Sequence, residues 1–126
     1  MFQILVVEDD TNTRKLMAAV LTRYGYEPVL AGDGQEALAV LDKKHIDLII
    51  LDVMMPEMDG LTATRIIRAM DRPDADVPII AMTANLFAED VAACTEAGMD
   101  AHIPKPLERA RMVQIIADCI GRKKRA

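Results

Sequence analysis

The acidic residues of this chain stand where they can do chemistry together. Residues 46–60 read IDLIILDVMMPEMDG: an apolar run, Leu48 to Leu51, stops at Asp52, and Pro56 with Asp59-Gly60 then punctuates a loop. A run this short and continuous suits a strand buried on both faces. A lone carboxylate at the carboxyl end of such a strand sits where open α/β sheets bind their ligands, which makes Asp52 the candidate reactive centre. Glu8-Asp9-Asp10 follows another apolar run, Phe2 to Val7, and Thr83 and Lys105 stand after two more. In a parallel sheet all strand carboxyl ends share one edge, so Glu8, Asp9, Asp52, Thr83 and Lys105 converge.

Carboxylates gathered in this way repel one another unless a cation intervenes, and hard oxygen donors on short loops suit Mg2+ (or Mn2+). Asp9 and Asp52 are the candidate direct ligands, Glu8 acts directly or through water, and a backbone carbonyl near Met54 completes the protein side. The competing reading of the acidic run, helix N-capping by Asp9 or Asp10, is compatible with a metal nearby. A carboxylate beside a divalent ion can attack phosphorus to form an acyl phosphate. The charge on the transferring group's equatorial oxygens would then be met by the cation, by Lys105 and by the Thr83 hydroxyl with nearby backbone N–H groups. The set lacks a second nucleophile and a general base for turnover. It describes a phosphate acceptor, assisting its own phosphorylation and dephosphorylation, rather than a separate enzyme.

Elements that can position these groups are legible in the spacing. A strand at Phe2 to Val7 precedes a helical stripe of Leu16, Met17, Val20, Leu21 and Tyr24, closed by Gly25. A strand at Pro28 to Ala31 follows, then Asp33-Gly34-Gln35-Glu36 as a helix start, continued by Ala37, Leu38 and Leu41. The organising strand spans Asp47 to Leu51, and the third helix takes Leu61, Ile66, Ile67 and Met70 as its buried side. Val77 to Met82 is a fourth strand, and Asn85 caps a helix carrying Leu86, Val91, Ala92 and Cys94, ended by Gly98. A short strand at Ala101 to Ile103 leads to Pro104-Lys105-Pro106, and a last helix shows Met112, Val113, Ile115, Ile116, Cys119 and Ile120 before Gly121 stops it. Strands alternating with helices imply an α/β sandwich with a parallel sheet and right-handed crossovers. One domain over 1–121 and a short basic tail over 122–126 account for the chain.

Composition narrows the function classes. The 126 residues are 52% hydrophobic and 28% charged, ordinary for a globular domain, and aromatics are only 3%, so the core is aliphatic and Met-rich. A net charge of -5 argues against general nucleic-acid binding, and Arg122 to Arg125 reads as a solvated complement to a helix end. Cys94 and Cys119 have no metal-type spacing and read as reduced thiols on apolar stripes. His45 has no partner ligand in sequence and reads as surface. No signal peptide or membrane-spanning run is visible, which points to a cytoplasmic protein.

ILVVEDD, ILDVMMPEMDG, IIAMTAN and the late Lys105-Pro106 together resemble the receiver domain of two-component response regulators, over residues 2 to about 120. The resemblance implies a flavodoxin-like (βα)5 fold with strand order 2-1-3-4-5, as in single-domain, chemotaxis-regulator-like members. It implies phosphotransfer to Asp52 from a histidine kinase or a histidine phosphotransfer protein, with Glu8 and Asp9 as the acidic pair, Thr83 as the switch hydroxyl and Lys105 as the lysine. It also makes Lys105-Pro106 a candidate cis bond. Where the family usually has Tyr or Phe three residues before the lysine, this chain has His102, which reads either as an ordinary half-exposed strand histidine or as a smaller switch residue whose charge can follow pH. Met54 and Asn85 match the positions that flank the phosphoryl group on the dephosphorylation path, and an apolar Met54 is expected to slow water attack.

The expected function is therefore a stand-alone phosphorylation switch in two-component signalling, read out on the surface of the fourth helix, fifth strand and fifth helix. No DNA-binding domain fits in the remaining residues, so output passes to a downstream protein or through a phosphorylation-dependent homodimer. The alternatives are a phosphorylation-independent interaction module of the same fold and a phosphate sink. A metal-dependent phosphatase is a more distant rival, disfavoured because Met54 stands where a D-x-D signature would place its second acid.

Overall fold

The computed structural model describes residues 2–53, 60–70, 77–83, 88–104 and 108–125, with backbone alone at 88–91 and 122–125. Strands and helices alternate through β1 (Gln3–Val7), α1 (Thr11–Arg23), β2 (Glu27–Ala31), α2 (Gly34–Lys43), β3 (Leu48–Asp52), α3 (Gly60–Ala69), β4 (Ile79–Thr83), α4 (Ala88–Ala97), β5 (Ala101–Pro104) and α5 (Arg109–Arg125). The five strands form one parallel sheet in the order β2-β1-β3-β4-β5, as expected from the resemblance.

The inner strands are buried on both faces because successive side chains point to opposite sides. Leu5, Val7, Ile49, Leu51, Ile79 and Ala81 join Ala37 and Leu41 of α2, Ala63 and Ile67 of α3 and Cys94 of α4 in one cluster. Ile4, Val6, Leu48, Ile50, Ile80 and Met82 join Met17, Val20 and Leu21 of α1 and Met112, Ile116 and Cys119 of α5 in the other. Burying each Val, Leu, Ile or Met side chain among them contributes about 1.5–3 kcal/mol. Pro28 lies on the edge strand β2, where a missing N–H is tolerated.

Local signals act as read, with instructive exceptions. Asp33 caps α2 by accepting from the Glu36 N–H at 2.7 Å, while the Glu36 carboxylate reaches past the cap to the Gly32 N–H at 3.0 Å. Gly25 and Gly98 follow α1 and α4 with φ of 86° and 110°, the left-handed conformation that ends helices. Gly121 does not stop α5, which continues to Arg125. Glycine inside a helix costs only about 1 kcal/mol against alanine, and without a left-handed turn it is no terminator.

The buried stripes are narrower than the apolar spacing suggests. Leu16 and Tyr24 are exposed on α1, whose inward face is Met17, Val20 and Leu21. On α3 the inward face is Gly60, Ala63, Thr64 and Ile67 at helical spacing, which turns Ile66 outward. Ala92 is likewise exposed on α4. Asn85, Leu86 and the Val91 side chain lie outside the described residues.

Arg68 ties the far edge of the sheet together. Its guanidinium donates to the Gly98 carbonyl at 2.8 and 3.0 Å, to the Val77 carbonyl, and to Asp100 at 2.8 Å. The same Asp100 oxygen accepts the Ile79 N–H at 2.9 Å, at the start of β4. The ion pair is half exposed and contributes little, but the partly buried N–H needs its acceptor. Asp100→Ala is expected to lower stability by about 1–2 kcal/mol in urea titration; an unchanged midpoint would contradict this role for the carboxylate.

Candidate functional site

Adjacent strands bring the acidic residues to one place. β1 and β3 pair with Val7 opposite Leu51, so Glu8 and Asp52 continue neighbouring strands at their carboxyl ends. Thr83 ends β4 on the other side of β3. Glu8 is 1% exposed, Asp52 2% and Thr83 6%, whereas Asp9 faces solvent. One carboxylate oxygen from each of Glu8, Asp9 and Asp52 lies within 4.8 Å of the others.

The β1–α1 turn divides its acids between two tasks. Asp10 caps α1, accepting from the N–H and hydroxyl of Thr13, which leaves Glu8 and Asp9 to the cluster. Glu8 is fixed at several points. Its N–H donates to the Ala31 carbonyl at 3.1 Å, its Oε1 accepts the Asp10 N–H at 3.0 Å, and its carbonyl accepts Nη1 of Arg14 at 2.9 Å.

Behind Asp52 the chain returns on itself. Val53 donates to the Met82 carbonyl at 3.1 Å, and the Gly60 N–H donates to the Val53 carbonyl at 3.0 Å. A Cβ on Gly60 would lie 2.6 Å from the Asp52 carbonyl oxygen and 2.8 Å from the Val53 Cα. Gly60 reads from sequence only as loop punctuation; the structure makes it the residue that lets α3 start directly against the Asp52 backbone. Arg14 likewise carried no sequence signal, being one basic residue on a helix. Lys105, Pro106, Met54 and Asn85 lie outside the described residues.

The cluster suits a small hard dication. It offers oxygen donors only, two from buried carboxylates held by the sheet and one at the solvent side. Carboxylates at this range repel one another, the more so as water is excluded, and a bound dication would offset that repulsion. The arrangement therefore gathers, at one sheet edge, three carboxylates that could together hold a cation.

His102 pairs with Ala81 across β5 and β4 and is half-buried, and its Nε2 is shielded from solvent without a hydrogen-bond partner among the described residues. Desolvation by this burial lowers the pKa of its ring from the usual 6.5. Between the lowered folded value and the unfolded value near 6.5, the unfolded chain binds more protons. His102 thus supports the fold fully above about pH 6.5 and progressively less as pH falls toward the folded pKa. His102→Phe is expected to flatten the stability profile between pH 7 and about 5 relative to wild type, read by urea midpoints. Parallel profiles would exclude His102 as a source of the slope. His45 is exposed as read, with its Nε2 2.8 Å from Asp47 Oδ1.

The family model described as the response regulator receiver domain matches residues 4–117. The sensor histidine kinase RcsC of Escherichia coli (strain K12) is 44% identical over 104 residues, covering 82% of this chain and 11% of the kinase. The chain thus spans about a tenth of that relative's length. Among solved structures, the receiver domain of sensor histidine kinase PA1611 from Pseudomonas aeruginosa PAO1, with a magnesium ion coordinated in its active site cleft, is 38% identical with a TM-score of 0.86. That alignment covers 95% of this chain and 98% of the other. Chemotaxis protein CheY4 of Vibrio cholerae is 28% identical with a TM-score of 0.90, covering 94% and 98%.

Proposed function

This chain belongs to the family of response regulator receiver domains, and from that premise we propose that it is a signalling switch phosphorylated on Asp52. The observation that carries the reading is the convergence of Glu8, Asp9 and Asp52 within 4.8 Å at the carboxyl edge of β1 and β3, with Thr83 ending the next strand. The donor is the phosphoimidazole of a histidine kinase or a histidine phosphotransfer protein. A carboxylate oxygen of Asp52 attacks phosphorus, the P–N bond breaks, its electron pair returns to the imidazole nitrogen, and an acyl phosphate forms on Asp52.

Asp9 and Asp52 would hold Mg2+, with Glu8 binding directly or through water. When bound, the cation supplies charge neutralisation for the incoming phosphoryl oxygens. Burial of Asp52 and Glu8 limits water at the reacting atom, and the sheet fixes the position of the nucleophile. The Thr83 hydroxyl donates to a phosphoryl oxygen, and Lys105 is assigned the remaining charge from sequence. A shift of Thr83 toward the phosphoryl group, followed by His102, would pass the state to the surface of α4, β5 and α5, where a downstream protein reads it. The role of the chain is that of a switch acting with partner proteins.

The direct test is intact mass after incubation with Mg2+ and a small acyl phosphate. A single phosphoryl adduct that disappears on chelating the metal is the expected result. A folded protein that binds Mg2+ yet gains no mass would overturn the reading and leave a phosphorylation-independent interaction module.

A further inference from the structure

We propose that Arg14 is a positioning residue for the cation site, acting through the backbone of Glu8; this rests on the reading of the acidic cluster as an Mg2+ site. Arg14 touches none of the reacting groups. From the first turn of α1 its Nη1 donates to the Glu8 carbonyl at 2.9 Å, in a half-buried setting. That carbonyl lies just past the end of β1, where the neighbouring strand β2 has stopped at Ala31, whose own carbonyl takes the Glu8 N–H at 3.1 Å. The guanidinium supplies a donor to this carbonyl beyond the last residue of β2.

The path of the side chain is built for this contact. A Cβ on Gly32 would lie 3.2 Å from Nη1 of Arg14 and 3.4 Å from the Glu36 carboxylate, so the absence of a side chain there leaves the guanidinium its passage. The Glu8 carbonyl belongs to the peptide plane between Glu8 and Asp9. Rotation of that plane moves the attachment points of both carboxylates at once. The Glu8 N–H and Oε1 are already held, by Ala31 and Asp10, so the carbonyl contact completes the definition of the dipeptide. Mg2+ demands near-ideal octahedral geometry, so a loosened pair of ligands weakens binding more than it weakens the fold.

Two opposing effects make the proposal testable by sign. As a nearby positive charge alone, Arg14 would repel Mg2+, and its removal would tighten binding. As a positioning group its removal weakens binding. Titration calorimetry of Mg2+ into wild type, Arg14→Met and Arg14→Lys is the experiment, with chemical denaturation of each protein alongside. The expected result is a Kd raised about ten-fold in Arg14→Met and partly restored in Arg14→Lys, which keeps a donor. Phosphoryl uptake at saturating Mg2+ should return close to wild type. Gly32→Ala, which crowds Nη1 while keeping the charge, should weaken binding in the same direction and stands in if Arg14→Met does not fold. An unchanged or tighter Kd in the folded variants overturns the proposal. Failure of wild type itself to bind Mg2+ would instead overturn the reading of the site.

Discussion

Asp52→Asn is expected to take up no detectable phosphoryl group from an acyl phosphate under conditions where the wild type gains one. The substitution keeps the size of a side chain that is 2% exposed, so packing is preserved, but an amide cannot act as the nucleophile. Its effect on stability should have the opposite sign to its effect on chemistry. Removing one of three carboxylates within 4.8 Å relieves repulsion, so the metal-free variant should be more stable than wild type by about 1 kcal/mol. Adding Mg2+ should reverse the order, because a ligand that binds only the folded state stabilises it in proportion to its affinity, and the variant has lost a donor. Melting curves with and without Mg2+ check this crossover. An adduct of undiminished yield on Asp52→Asn would place the acceptor elsewhere.

Gly60→Ala should be the most damaging conservative substitution near the site. The added Cβ would meet the Asp52 carbonyl oxygen at 2.6 Å, the Val53 Cα at 2.8 Å and the Asp52 carbonyl carbon at 3.1 Å. All three are backbone atoms, so no flexible side chain can give way, and relief requires α3 and the end of β3 to separate. A loss of roughly 2–4 kcal/mol is expected, together with weaker Mg2+ binding as Asp52 is displaced. Gly121→Ala is the internal control. It sits within α5 with nothing inside 4 Å of its Cβ position, and the same change there should stabilise by about 0.5–1 kcal/mol. Denaturation midpoints of the two variants should move in opposite directions, and a wild-type midpoint for Gly60→Ala would refute the close approach.

The features legible in sequence were those written in continuous or periodic patterns. The apolar runs of β1, β3 and β4 marked buried parallel strands, and the acids at the ends of β1 and β3, with Thr83 ending β4, marked the candidate functional edge. The division of labour among Glu8, Asp9 and Asp10 was not legible, because capping and metal binding ask for the same residue types in one turn. Only the Asp10–Thr13 contacts separate them. Ile66 and Leu16 misled because an aliphatic residue one position off a helical stripe looks the same in sequence as one on it. Gly121 misled because a helix-ending glycine is defined by its φ rather than by its identity. The roles of Arg14 and Gly60 depend on contacts made across turns, to the Glu8 carbonyl and the Asp52 backbone, and no local pattern encodes them.

The two cysteines, neither in a disulfide, lie on opposite sides of the sheet, Cys94 on the inner face of α4 and Cys119 on that of α5, each 3% exposed. A strand layer thus insulates one thiol from the other, and each reacts with a solvent-borne reagent only when its own helical layer parts from the sheet. The chain carries a pair of built-in chemical clocks. Labelling kinetics at the two sulfurs time the opening of the two layers separately, in one sample and without an engineered residue. Any signal that works by loosening α4 would quicken one clock and leave the other at its resting pace.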